Sequence, residues 1–169
     1  KDFTTMFSNA IEWAAGPANW FPRFRVLIHH NRNVETAHQQ FAEDGIRFFR
    51  DMTIGDGLVV DVTDDMNDFN DEKLRSYHLV ISLNDNPGHS PEQRAAFERY
   101  MKNGGAWFGF HSAGYNDRST NWPWFVDFLG GAIFNRNNWP PQSAKLEIDD
   151  PRHPVTKGLP RTYISPQNE

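Results

Sequence analysis

Apolar positions follow two different periods along this chain. Near the start Phe3, Met6, Phe7, Ala10, Ile11 and Ala14 recur at helical spacing, and Gly16-Pro17 breaks the pattern. The spacing predicts an amphipathic lead helix over 1–15 that docks on the flank of a domain rather than recruiting a partner. From residue 25 onward short apolar runs take over. Arg25-Val26-Leu27-Ile28-His29, Leu58-Val59-Val60-Asp61-Val62, Leu79-Val80-Ile81-Ser82-Leu83 and Ala106-Trp107-Phe108-Gly109-Phe110 lack a polar alternation, as strands covered on both faces do. Between the first two runs Phe41, Gly45, Phe48 and Met52 share one helical face. Ser90-Pro91-Glu92-Gln93 reads as a capping box ahead of Phe97, Tyr100 and Met101, and Gly104-Gly105 ends that helix. A shorter helix is expected from Pro123 to Gly130-Gly131, and Ala144 to Ile148 alternates like an edge strand.

Strands alternating with helices predict right-handed crossovers and a mostly parallel sheet with helices on both faces. Such sheets bind ligands beyond the carboxyl ends of their strands, where neighbouring crossovers leave to opposite faces. The segments that matter are therefore His29–His38, Thr63–Asp65, Asn84–His89 and His111–Trp124. In a flavodoxin-like strand order Asn84 and Asp85 would lie next to the first strand, at the crevice.

Composition narrows the functional classes. The 169 residues suit one domain, preceded by the lead helix and a linker over 1–22. A net charge of −5, from 17 basic and 22 acidic residues, argues against nucleic acid as a partner. No apolar run approaches the roughly 20 residues of a membrane-spanning helix. The absence of cysteine excludes disulfides, thiolate catalysis and thiolate metal sites. An aromatic-rich, cysteine-free chain beginning at Lys1 suits an exported or periplasmic bacterial protein. Nothing in the composition sets the oligomeric state. Asp61 to Glu72 holds six acids, but it lacks the glycine and the spacing of a calcium loop and reads as a solvated loop entering a short helix over 71–76.

Several residues are candidates for chemistry. Gly109-Phe110-His111-Ser112-Ala113-Gly114 follows the fourth strand directly, the place where a strand-turn-helix elbow lifts a side chain above the sheet. Phe110 stands where a serine elbow needs glycine, so His111 is the better candidate for an acid, base or ligand than Ser112 is for a nucleophile. Of the seven histidines, His29, His30, His38, His89 and His111 lie on or beside strand-end segments. No H-E-x-x-H or other short ligand spacing accompanies them, so no cofactor is expected, and a divalent metal held by histidines is the lesser alternative. No G-x-G-x-x-G follows the first strand. Trp124 and Phe125 are assigned to the core, and Trp122 to the wall of a pocket.

The ordered set of motifs resembles the ThuA-like, or trehalose-utilisation, family. The resemblance is carried by Gly109 to Ala113, Trp122-Pro123-Trp124-Phe125 with Leu129-Gly130-Gly131, Asp150 to Pro160, Leu83-Asn84 and Pro91 to Gly105, and it spans about residues 24–165. It implies a class I glutamine amidotransferase-like, flavodoxin-like domain over 23–169 in which His111 occupies the nucleophile position. Glutaminase activity is then not expected. The resemblance further implies a carbohydrate-related role with a small-molecule sugar as partner. His111 and, at a one-residue offset, His38 match the family's histidines. His38 and His111 are expected to transfer protons, and His30, Asn84, Asp85, Ser112 and Trp122 to contact hydroxyls; the alternative is a non-catalytic sugar-binding or interaction module. This chain differs from relatives in having Asn135 to Asn138 after Phe134, where many carry a histidine. Relatives also continue past the Glu169 position, so the family's C-terminal segment is expected to be absent.

Overall fold

The computed structural model describes residues 2–15, 24–56 and 58–168. The Gly16-Pro17 break lies outside them. Contacts divide the chain into two compact units, residues 18–134 and residues 1–17 together with 135–169.

The larger unit is a four-stranded parallel sheet in the order β2-β1-β3-β4. Its strands are β1 (Arg25–His29), β2 (Val59–Thr63), β3 (Leu79–Ser82) and β4 (Ala106–Gly109). The helices are α2 (Thr36–Asp56), α3 (Asp71–Leu74), α4 (Pro91–Lys102) and α5 (Pro123–Phe128), and α1 (Asp2–Ala15) belongs to the smaller unit. The chain moves from β1 outward to β2, then returns past β1 to β3 and β4, so the switch point lies between β1 and β3. This is the expected flavodoxin-like, doubly wound arrangement.

Side-chain alternation along the strands distributes the helices. Leu27 and Val80 face a cluster containing Phe69, Leu74, Phe97, Tyr100 and Phe125, contributed by α3, α4, α5 and the segment before α3. On the other face Phe41 and Phe49 of α2 pack on Phe110, at 5.4 and 6.1 Å between ring centroids. A Cβ on Gly45 would lie 3.0 Å from Leu83 Cδ2, so glycine there lets α2 settle close to the end of β3. Ser90 and Gln93 form the expected capping box at the start of α4. The acidic stretch is less solvated than its composition implies: Met66 to Asp68 form a 3-10 turn, and Phe69 is buried just before α3.

The smaller unit contains α1 (Asp2–Ala15) and an antiparallel pair, β5 (Gln142–Glu147) with β6 (Thr162–Asn168). Ala10 and Ile11 of α1 are buried, and Asn9 Nδ2 donates to Lys157 O at 2.9 Å beside the 3-10 turn Pro154–Thr156.

Candidate functional site

Register decides which loops can cooperate. Thr63, His29, Ser82 and Gly109 align across the sheet, so the four segments that follow them emerge side by side. The segment after β4 turns sharply: His111 has φ 44°, a left-handed conformation that a non-glycine residue holds only when its surroundings enforce it. Ala113 N–H donates to Phe110 O at 2.8 Å, closing the turn and presenting His111 at its exposed start.

His38 reaches the same place from the first turn of α2. Its ring lies edge-on to that of His111, with centroids 5.1 Å apart and planes at 69°. His38 Nδ1 is 3.3 Å from Glu35 Oε1, an acid three residues earlier that orients the ring. Glu35 is not among the residues expected at the site, although its (i, i+3) spacing to His38 at a helix start is a local signal in the sequence.

Asn84 holds this arrangement together. It is 2% exposed; its Oδ1 accepts from Asn31 N–H at 2.7 Å, and its Nδ2 donates to Asn31 O and His38 O at 3.0 and 3.1 Å. Ser112 Oγ donates to Asn84 O at 3.0 Å. Asn86 Nδ2 donates to Ala113 O and Tyr115 O and buttresses the elbow from the β3 side. The structure therefore gathers His38, His111, Asn84 and Ser112, with Asn84 serving as a tie between loops.

Asp85 lies beside this group. Its carboxylate accepts from Asn31 Nδ2 at 2.6 Å and pairs with His89 Nε2 at 2.9 Å. Burial alone would raise its pKa, yet the hydrogen bonds from His89 and Asn31 hold it below the ordinary carboxylate value. Donating that same bond to Asp85 raises the pKa of His89. His30 points elsewhere, into a cleft beside α2. Trp122 is placed in the core, 4% exposed, with Nε1 donating to Glu98 Oε1 at 2.7 Å. Trp124 packs against the core as expected, although it is the more exposed of the two, and Trp122, expected at a pocket wall, is buried in that core because it stacks against Phe125. Among the described residues no three His, Asp or Glu side chains converge in a way that could hold a metal ion.

His29 is the unexpected member. It ends β1 with 0% exposure, set edge-on to Phe69 at 4.9 Å, and neither ring nitrogen has a hydrogen-bond partner among the described residues. Burial lowers its pKa from 6.5 to about 4; Asp85 and Asp64 oppose that shift, and His89 and His30 add to it. The unfolded chain thus binds a proton here between pH 6.5 and about 4 that the folded chain does not, so this ring removes stability as pH falls through that window. The loss reaches on the order of 3 kcal/mol at its lower end. His89 acts in the opposite sense, contributing stability below its ordinary value that is lost as pH rises through its raised one. His29→Leu is expected to abolish its share of the acid slope and to leave stability at pH 7 unchanged or about 1 kcal/mol higher, since no hydrogen bond is broken. Urea unfolding of both proteins at neutral and mildly acid pH measures this; equal acid sensitivity would place the slope on other groups.

Residues 25–169 match the ThuA family, described as trehalose utilisation. This chain belongs to the ThuA family. It is also similar to a crystal structure from Bacteroides uniformis described as ThuA-like, with 49% sequence identity and a TM-score of 0.81. The similarity covers 90% of this chain and 62% of that one, so the chain spans less than two thirds of its neighbour. No curated protein matches. Membership in the ThuA family agrees with the α/β fold, and trehalose utilisation fits carbohydrate metabolism.

Proposed function

We propose that this ThuA-family chain is an enzyme acting on a sugar or keto-sugar by proton transfer through His38 and His111. The observation that carries the reading is the contact of these two rings at the strand ends, 5.1 Å apart, with one of them on a backbone turn of φ 44°. Near neutral pH an imidazole can offer either a lone pair or an N–H, so two in contact supply a base and an acid together. Next to a carbonyl that combination removes a proton from carbon while delivering one to oxygen. Asp85 with His89 places a second carboxylate-imidazole pair close by for hydroxyl contacts. Glutamine hydrolysis is not part of the proposal, because no thiol stands at the elbow.

The test is turnover of a panel of sugars and keto-sugars by the full chain and by His38→Gln and His111→Gln. Loss in both supports the reading, and unchanged turnover in either removes that residue from it. A protein that binds sugar, turns over none of the panel and loses only affinity in these variants is a binding module instead. Glu35→Ala is expected to lower kcat by at most about fivefold with KM unchanged, because a solvent-accessible pair of this kind contributes about 0.2–1 kcal/mol. An altered KM with constant kcat would show that Glu35 meets the substrate rather than orienting His38.

A further inference from the structure

We infer that the cleft on the β2 side of α2 is a second binding site and that its ligand is an uncharged, polyhydroxylated small molecule. The cleft measures about 490 Å³, within the range of about 300–1,000 Å³ typical of small-molecule sites. Gln39, Glu43, Ile46 and Arg50 form one wall, at a spacing that places them along a single stripe of α2. His38 precedes Gln39 by one residue, about 100° around the helix, and its ring meets His111 instead. One helix therefore presents the histidine pair on one side and the cleft on another, and the inference does not rest on the chemistry proposed for the pair.

The ligand class follows from charge and donor balance. Arg32 and Arg50 line the cleft, but Glu43 lines it too, and Arg32 is ion-paired with Asp64. A phosphate or carboxylate entering would meet the Glu43 carboxylate. Hydroxyl groups suit such a lining because each both donates and accepts, as the amides of Asn31 and Gln39 do. Burial lowers the pKa of His30, which keeps that imidazole neutral near pH 7 and adds an acceptor. The walls are fixed in advance: Gln39 Nε2 donates to Val34 O, and Asn31 Nδ2 to Asp85. Little side-chain freedom is then lost on binding. Ile46 and Val62 supply an apolar surface for C–H groups. No Phe, Tyr or Trp is among the described lining residues, so millimolar affinity is expected.

The experiment is an amide chemical-shift titration of the full chain with trehalose, glucose and glucose 6-phosphate. The neutral sugars are expected to move resonances of residues 30–32, 39–50 and 62, and to do so equally in His111→Ala. Ile46→Trp, which fills the cleft, should abolish those shifts, and Glu43→Gln should weaken them severalfold. Shifts confined to the surroundings of His38 and His111, or their loss in His111→Ala, would merge the two sites and overturn the inference. So would the absence of any response to either neutral sugar. Tighter binding of glucose 6-phosphate, strengthened by Glu43→Gln, would make the cleft an anion site and overturn the ligand class. The mapping on the unmodified protein decides the matter even if Ile46→Trp fails to fold.

Discussion

Replacing His111 with alanine is expected to lower turnover by about 10²- to 10⁴-fold, the usual contribution of a positioned acid or base, while leaving the fold intact. The fold should survive because His111 is exposed and begins a turn whose closing hydrogen bond, Ala113 N–H to Phe110 O, uses backbone atoms alone. His111→Gly sharpens the test. At φ 44° a side chain imposes a steric cost that glycine does not have. The glycine variant should therefore be as inactive as the alanine variant and no less stable, and up to about 1 kcal/mol more stable. Side chains that serve only the fold do not behave in this way, because their removal lowers stability. The measurements are steady-state kinetics together with urea unfolding of both variants. Retained turnover would remove His111 from the chemistry. A large loss of stability in both variants would show instead that the imidazole braces the elbow.

How far the amino-acid sequence announced this arrangement depends on the range of the interactions involved. Local signals were readable: β1 occupies the predicted Arg25–His29, and the Ser90 capping box depends on residues three apart. At β2 the apolar run begins at Leu58 but the strand runs Val59–Thr63, because Leu58 is buried without joining the ladder and apolar character reports burial rather than pairing. β6 has no apolar pattern to mark it in the sequence, since its residues 162–166 are half-buried or exposed and include Pro166. Loop convergence at the elbow could be anticipated from strand order alone. The ties that hold it could not. Asn84 bonds to Asn31 and His38, 53 and 46 residues away, and the orphaned imidazole of His29 becomes visible only once Phe69 is known to cover it. A histidine at a strand end reads the same in sequence whether it faces a crevice or a phenylalanine.

Trp122 shows the same ambiguity, and its replacement carries the largest expected effect on stability. The ring stacks on Phe125 at 4.6 Å and 16°, meets Phe97 at 6.2 Å, and lies under the Arg94 guanidinium at 5.2 Å. Trp122→Ala would open a void among side chains that are themselves 0% exposed, Phe97 and Phe125. A cavity of that kind costs about 3–5 kcal/mol. Glu98 Oε1 would also lose the Nε1–H that it accepts at 2.7 Å. Trp122→Phe keeps most of the apolar volume and loses the hydrogen bond, so a smaller cost of about 1–2 kcal/mol is expected. Since Trp122 is 4% exposed, affinity for any sugar, measured on the fraction still folded, should not change in the phenylalanine variant. Chemical denaturation ranks the three proteins, and a sugar titration separates the two roles. Were Trp122→Ala to unfold at the same denaturant concentration as the unmodified protein yet lose sugar binding, the indole would be part of a pocket and its placement in the core would be wrong.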